Sequence, residues 1–180
     1  MVVLNDRIHD PRDVTKMNTT NADAFQSPIK GAMGDVLYGK ARFFRSPTTR
    51  HTSGSEFRSG ESSKLPRVDV LYGYADMNPD HIDFAIEQGA SGIVLAGMGN
   101  GNVNAATRDK IKKATERGVA VVRSARVPTG VVIRNGEIND DELGSIASGD
   151  LNPAKSRILL MLCLLAGKST AEIQAAFDAY

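Results

Sequence analysis

From Arg67 onward the chain alternates short apolar runs with stretches whose apolar residues recur at helical spacing, and this alternation most restricts what it can fold into. Ile93, Val94, Leu95 and Ala96 form an unbroken apolar run, the pattern of a parallel strand covered on both faces. Val68–Tyr72 and residues 119–122 read as its neighbours. Between the first two runs, Asn78 and Pro79 open a helix that Gly89 ends, with Ile82, Ala85 and Ile86 on one face. A second helix is expected over residues 104–117, with Ala106, Ile111 and Ala114 in one stripe. A fourth strand is expected at residues 131–133. Asn152 and Pro153 open a helix that Gly167 stops, and Ser169 with Glu172 forms a capping box for the last helix. This order predicts an α/β unit: a small open parallel sheet with helices on both faces, joined by right-handed crossovers.

The residues before Arg67 carry no such alternation. Val2–Leu4 read as a short strand, residues 10–20 are polar and turn-rich, and residues 35–44 read as a hairpin turning near Gly39. Two or three strands are marginal in water on their own. Residues 1–44 are therefore expected to be a β-rich remnant, the tail of a domain whose beginning is missing. Residues 45–66, with Pro47, Gly54, Gly60, Pro66 and many Ser and Thr, have the composition of a linker. Residues 67–180 are expected to be the alternating α/β unit.

Several function classes fall away on charge and spacing. A net charge of +1 gives no reason to expect nucleic acid or a membrane surface as partner. Arg42, Phe43, Phe44 and Arg45, with Arg50 and His51, mix basic and aromatic residues, but without a recognition motif they read as an exposed strand edge and loop. Cys163 lies inside an apolar run, residues 158–166, and reads as a core residue with no internal disulfide partner. That run is far shorter than the roughly 20 residues a membrane span needs. Met1 to Asn5 is already strand-like, so no signal peptide is expected ahead of the fold. His9, His51 and His81 share no ligand spacing, so no metal is expected. Asn18, Thr19 and Thr20 match a glycosylation acceptor, a pattern common by chance.

Ligands of open α/β sheets bind beyond the carboxyl ends of the strands. The loop Gly97-Met98-Gly99-Asn100-Gly101-Asn102 falls there, and its glycines let backbone N–H groups approach a ligand. A dinucleotide fingerprint is excluded, because the third glycine is replaced by Asn102 in one register and Asn104 in the other. Read by itself, the loop is as readily a structural turn as a ligand loop. Arg123 to Gly130, after the third strand, reads as structural more readily than as anion-binding. Lys16, among hydroxyls and Asp13, could activate a nucleophile or be a solvated surface lysine.

Taken in order, four blocks resemble the bacterial type II L-asparaginases: Arg12-Asp13-Val14-Thr15-Lys16 with Asn18-Thr19-Thr20; residues 97–102; Val121-Val122-Arg123-Ser124 with Arg126-Val127-Pro128-Thr129-Gly130; and Ala147-Ser148-Gly149-Asp150-Leu151-Asn152-Pro153-Ala154-Lys155. The resemblance spans essentially the whole chain. It implies the end of a large N-terminal α/β domain, a linker and a whole small C-terminal domain. It also implies an amidohydrolase that converts L-asparagine and water to L-aspartate and ammonia without a cofactor. The family works as a homotetramer, a dimer of intimate dimers, with each active site formed by the N-terminal domain of one subunit and the C-terminal domain of the neighbour. By the same resemblance Lys16 is the catalytic lysine, and Asn102 and Glu137 are substrate-binding residues that reach the neighbour's site. Met17 stands where relatives often have a threonine.

The family's nucleophilic threonines sit in a Thr-Gly-Gly-Thr motif and a Thr-Asp pair, and neither occurs in these 180 residues. The chain is therefore expected to be inactive without an N-terminal segment that supplies them. The resemblance implies a periplasmic or secreted location, with a cytoplasmic one left open. A glutaminase-asparaginase of the same fold, the related subunit of a tRNA-dependent amidotransferase, a truncated ligand-binding or assembly module without turnover, and one piece of a split enzyme are the competing readings.

Overall fold

The strand Gly92–Gly97 is buried along its whole length, as an apolar run with helices on both sides requires. In the computed structural model, which describes residues 1–58 and 64–180, it is the eighth strand, β8. The elements before it are β1 (Val2–Leu4), β2 (Arg7–His9), β3 (Thr15–Lys16), β4 (Phe25–Gln26), β5 (Gly34–Leu37), β6 (Lys40–Phe43), β7 (Val68–Tyr72) and α1 (Asp80–Glu87). After it come α2 (Ala105–Glu116), β9 (Ala120–Ala125), α3 (Asp140–Leu143), β10 (Ile146–Ala147), α4 (Pro153–Leu165) and α5 (Thr170–Ala179). The middle of the linker expectation, residues 59–63, lies outside the described residues. The chain divides into two compact units, residues 1–56 with Tyr180 and residues 57–179.

The second unit is built on a parallel sheet in the order β10-β9-β8-β7. Each strand is added on the same side of the last, so right-handed crossovers bring α1 and α2 to one face. On that face Ile82 and Ala85 of α1 and Ile111 and Ala114 of α2 pack against Ile93, Leu95 and Val121. Alternation turns Gly92 and Val68 to the other face, where Leu160 and Leu164 of α4 press close: a Cβ on Gly92 would come within 2.9 Å of Leu160. Helices therefore cover both faces of the sheet. Cys163, fully buried on α4, is part of this packing.

Two details differ from the expectations. Residues 131–133 are not a strand. Val132 is buried and makes an isolated bridge to Gly149, but Val131 and Ile133 are exposed, and the fourth strand is the two-residue β10. In α2 the buried stripe is Thr107, Ile111 and Ala114, not Ala106, because at about 100° per residue Thr107 lies roughly 40° from Ile111 around the helix and Ala106 roughly 140°. The capping box of α5 is formed, with the Ser169 amide donating to the Glu172 carboxylate at 2.8 Å. Gly167, at φ +68, takes the left-handed conformation that ends α4.

The first unit is an antiparallel sheet in the order β1-β2-β5-β6 and a separate two-stranded ladder of β3 and β4. The hairpin between β5 and β6 turns through Tyr38 (φ +49) and Gly39 (φ +75), the left-handed pair that suits a two-residue turn. Arg42 and Phe43 lie on the exposed edge strand β6, with Arg42 forked onto Asp35 across the ladder.

Candidate substrate-binding site

At the carboxyl end of β8 the chain makes a closed turn over residues 97–102. Met98 and Asn102 exchange backbone hydrogen bonds at 2.9 and 2.7 Å, pinching the loop. Gly97 is obligatory here, since a Cβ on it would lie 2.6 Å from the Gly101 carbonyl carbon. Gly101, at φ +73, lets the chain return under Val132 and Arg123. The product is a rigid loop that presents Asn102 at its last position.

Thirty-five residues later in sequence, Glu137 lies on the loop that follows β9. That loop is anchored at both ends by burial, Val132 against Gly149 and Ile138 in the core. The Asn102 side-chain amide donates a hydrogen bond to the Glu137 carboxylate. The two side chains nominated separately in the sequence thus meet, Glu137 exposed and Asn102 half-buried. An exposed carboxylate beside an amide with both donor and acceptor capacity can take an ammonium group on one side and a carbonyl or amide on the other.

Beneath this pair lies a charge that the sequence reading treated only as structural. Arg123, which follows Val121 and Val122 on strand β9, is 1% exposed. Its five N–H groups are all used. Nε and Nη2 donate to the two Asp140 carboxylate oxygens, both at 2.6 Å. Nη1 donates to Asn100 O at 3.1 Å and Gly101 O at 3.4 Å, and Nη2 also to Ile133 O at 3.3 Å. Asp140, itself fully buried, accepts from the Ser145 hydroxyl at 2.5 Å and the Asn135 amide at 3.0 Å. Burial acts to raise its pKa, but the bonds from Arg123, Ser145 and Asn135 outweigh it and hold the carboxyl below the ordinary range. Asn100 crosses between the loops as well, its side-chain oxygen accepting from the Ile133 amide at 2.8 Å.

Lys16 lies in the first unit on β3, exposed, with its ammonium 5.9 Å from the centre of the Phe25 ring. Its segment is shaped by local polar ties. The Asp13 carboxylate accepts from the Ile29 and Lys30 amides at 3.1 and 2.7 Å. The Asn18 side chain accepts from the Thr20 and Asn21 amides at 2.9 and 3.0 Å. Met17 is exposed beside it, its amide bonded to Ala24 O at 2.7 Å. Among the described residues no cluster of His, Cys, Asp and Glu is placed to hold a metal ion, and no helix is long and apolar enough to cross a membrane.

Residues 67–177 match the family model of the glutaminase/asparaginase C-terminal domain, and residues 1–49 match that of the asparaginase N-terminal domain. The chain is 41% identical over 178 residues to the probable periplasmic L-asparaginase of Haemophilus influenzae, covering 99% of this chain and 51% of that protein. It is 41% identical over 180 residues to L-asparaginase 2 of Escherichia coli, covering 100% of this chain and 52% of that protein. It is 38% identical over 181 residues to the glutaminase-asparaginase of Pseudomonas fluorescens biotype A, covering 100% of this chain and 50% of that protein. The chain thus spans about half the length of the curated relatives it matches.

Proposed function

The chain belongs to the glutaminase/asparaginase family, and on that premise we propose that it supplies the substrate-holding residues and one catalytic lysine of an L-asparagine amidohydrolase. The reaction is hydrolysis of the side-chain amide to L-aspartate and ammonia, without a cofactor. The observation that carries this reading is the meeting of Asn102 and Glu137 at the carboxyl end of the sheet. The Glu137 carboxylate pairs with the substrate's α-ammonium, and the Asn102 amide fixes the position of that carboxylate and of the substrate beside it. Lys16 provides a positive charge or a proton relay for a threonine nucleophile that the remainder of the family's length would contribute. In this reading residues 1–44 close a larger catalytic domain, residues 45–66 are a linker, and the enzyme assembles as a homotetramer, a dimer of intimate dimers. The name of the Haemophilus relative supports a periplasmic setting.

A glutaminase-asparaginase is the second reading, supported by the 38% identity to the Pseudomonas enzyme of that name. The test is the ratio of kcat/KM for L-asparagine and L-glutamine in the full-length protein carrying this chain, wild type against Asn102→Ser. Loss of one hydrogen bond to the substrate end should lower the preference for asparagine by about tenfold. An unchanged ratio removes Asn102 from substrate choice, and a wild type that releases no ammonia from asparagine overturns the function.

A further inference from the structure

We propose that Arg123 and Asp140 are positioning residues: their buried ion pair sets the distance and orientation between Asn102 and Glu137. This rests on the reading of those two side chains as the substrate-holding pair, and deepens it.

The geometry carries the inference in three steps. First, the two nominated side chains lie on different loops, separated in the chain by α2 and β9. Their relative placement must come from tertiary bonds. Second, one guanidinium reaches both loops. Arg123 binds Asn100 O and Gly101 O, the two residues before Asn102, and Ile133 O, four residues before Glu137. Through Asp140 it also holds the Asn135 amide, two residues before Glu137. Third, the pair is more costly than a purely structural role needs. Two charges out of water are often replaceable by apolar residues of similar volume without loss of stability. A planar fork with five donors is instead suited to fixing several acceptors at once, which a lysine cannot do.

Neither residue touches the proposed substrate, so their effect is on where Asn102 and Glu137 stand. The double variant Arg123→Met/Asp140→Leu separates positioning from folding, because it removes both charges together. In the 180-residue chain it should keep a cooperative thermal melt, while the two Asn102 side-chain amide proton resonances, spread apart by the bond to Glu137, move toward each other. In the full-length protein carrying this chain, KM for L-asparagine should rise about tenfold or more, the effect of a small misplacement of binding groups, with kcat within about threefold. A folded double variant with unchanged Asn102 resonances and KM overturns the proposal. If the double variant does not fold, Arg123→Lys decides. Its ammonium can still pair with Asp140 but cannot serve Asn100 O, Gly101 O and Ile133 O together. Shifted Asn102 resonances then support positioning, and unshifted ones refute it. The resonance arm needs no turnover, so absence of asparaginase activity in the wild type would sink the functional reading while the positioning claim is still decided.

Discussion

The two units are held together by different means. In the second, every residue of β8 is buried and an apolar cluster that includes Ile82, Ile93, Leu95, Ile111 and Val121 packs one face of the sheet, with the Arg123–Asp140 pair buried beside it. In the first, all of β1 and all of β6 are exposed. Its interior mixes Ile8, Val14, Ala24 and Met33 with the buried polar side chains of His9, Asp10 and Asp13. Polar ties hold its loops: Asp13 on two backbone amides, His9 on the Ser27 hydroxyl at 2.8 Å, and Arg45 on Ala32 O at 3.1 Å. Ladder hydrogen bonds are common to both units, so they do not explain a difference in stability. Apolar burial does. The first unit is expected to open locally at low free energy and the second only with global unfolding.

The largest effect should come from the core of the second unit. Leu160→Ala removes a fully buried side chain pressed against Gly92, and should cost about 2–5 kcal/mol. Leu37→Ala, on the exposed rim of β5, should change stability by about 0.5 kcal/mol or less. Hydrogen exchange followed by mass spectrometry, read separately for the two units, measures both. Equal effects would show that apolar burial does not set the two units apart.

A smaller effect should separate the units by pH. Burial, with Arg7 nearby, pushes the His9 pKa below its ordinary value, and Asp13 only partly offsets this. The folded state then binds the proton less well than the unfolded chain. The first unit should lose stability as pH falls below about 6.5, down through the folded His9 value. Asp140 in the second unit is also held below its ordinary value, so its contribution is complete above about 3.9 and is lost only as pH falls from there through its folded value. Between pH 7 and pH 5, exchange should accelerate in the first unit alone, after correction for the intrinsic pH dependence of exchange. His9→Gln should remove that acceleration.

The same contrast governs what could be read in the sequence. The buried strand β8, the capped helices and the Ser169–Glu172 box are local patterns, and the structure has them. The fourth strand was not legible as a local pattern: β10 has two residues, and the Val-Val-Ile run that imitated it offers only Val132 to the core. In α2 the helical repeat itself puts Thr107 rather than Ala106 on the face of Ile111 and Ala114, and a polar threonine there was passed over for its apolar neighbour. For the site, resemblance nominated Asn102 and Glu137, but their contact across 35 residues is a tertiary fact. Arg123 was half-legible. A charge in the apolar run Val121-Val122-Arg123 implies a buried partner. Asp140, Asp141 and Glu142 are consecutive, and only the fold selects Asp140.

In the function proposed above, the two units supply different chemistry, proton handling from Lys16 in the first and substrate holding from Asn102 and Glu137 in the second. Steady-state kinetics of Lys16→Met and Glu137→Ala in the full-length protein carrying this chain test it most directly. Lys16→Met should lower kcat by about 10²–10⁴ with KM for L-asparagine within about threefold. Glu137→Ala should raise KM by about tenfold or more, the worth of one charge-assisted bond to the α-ammonium, with the smaller part of its effect on kcat. An unchanged KM in Glu137→Ala, or an undiminished kcat in Lys16→Met, would contradict it.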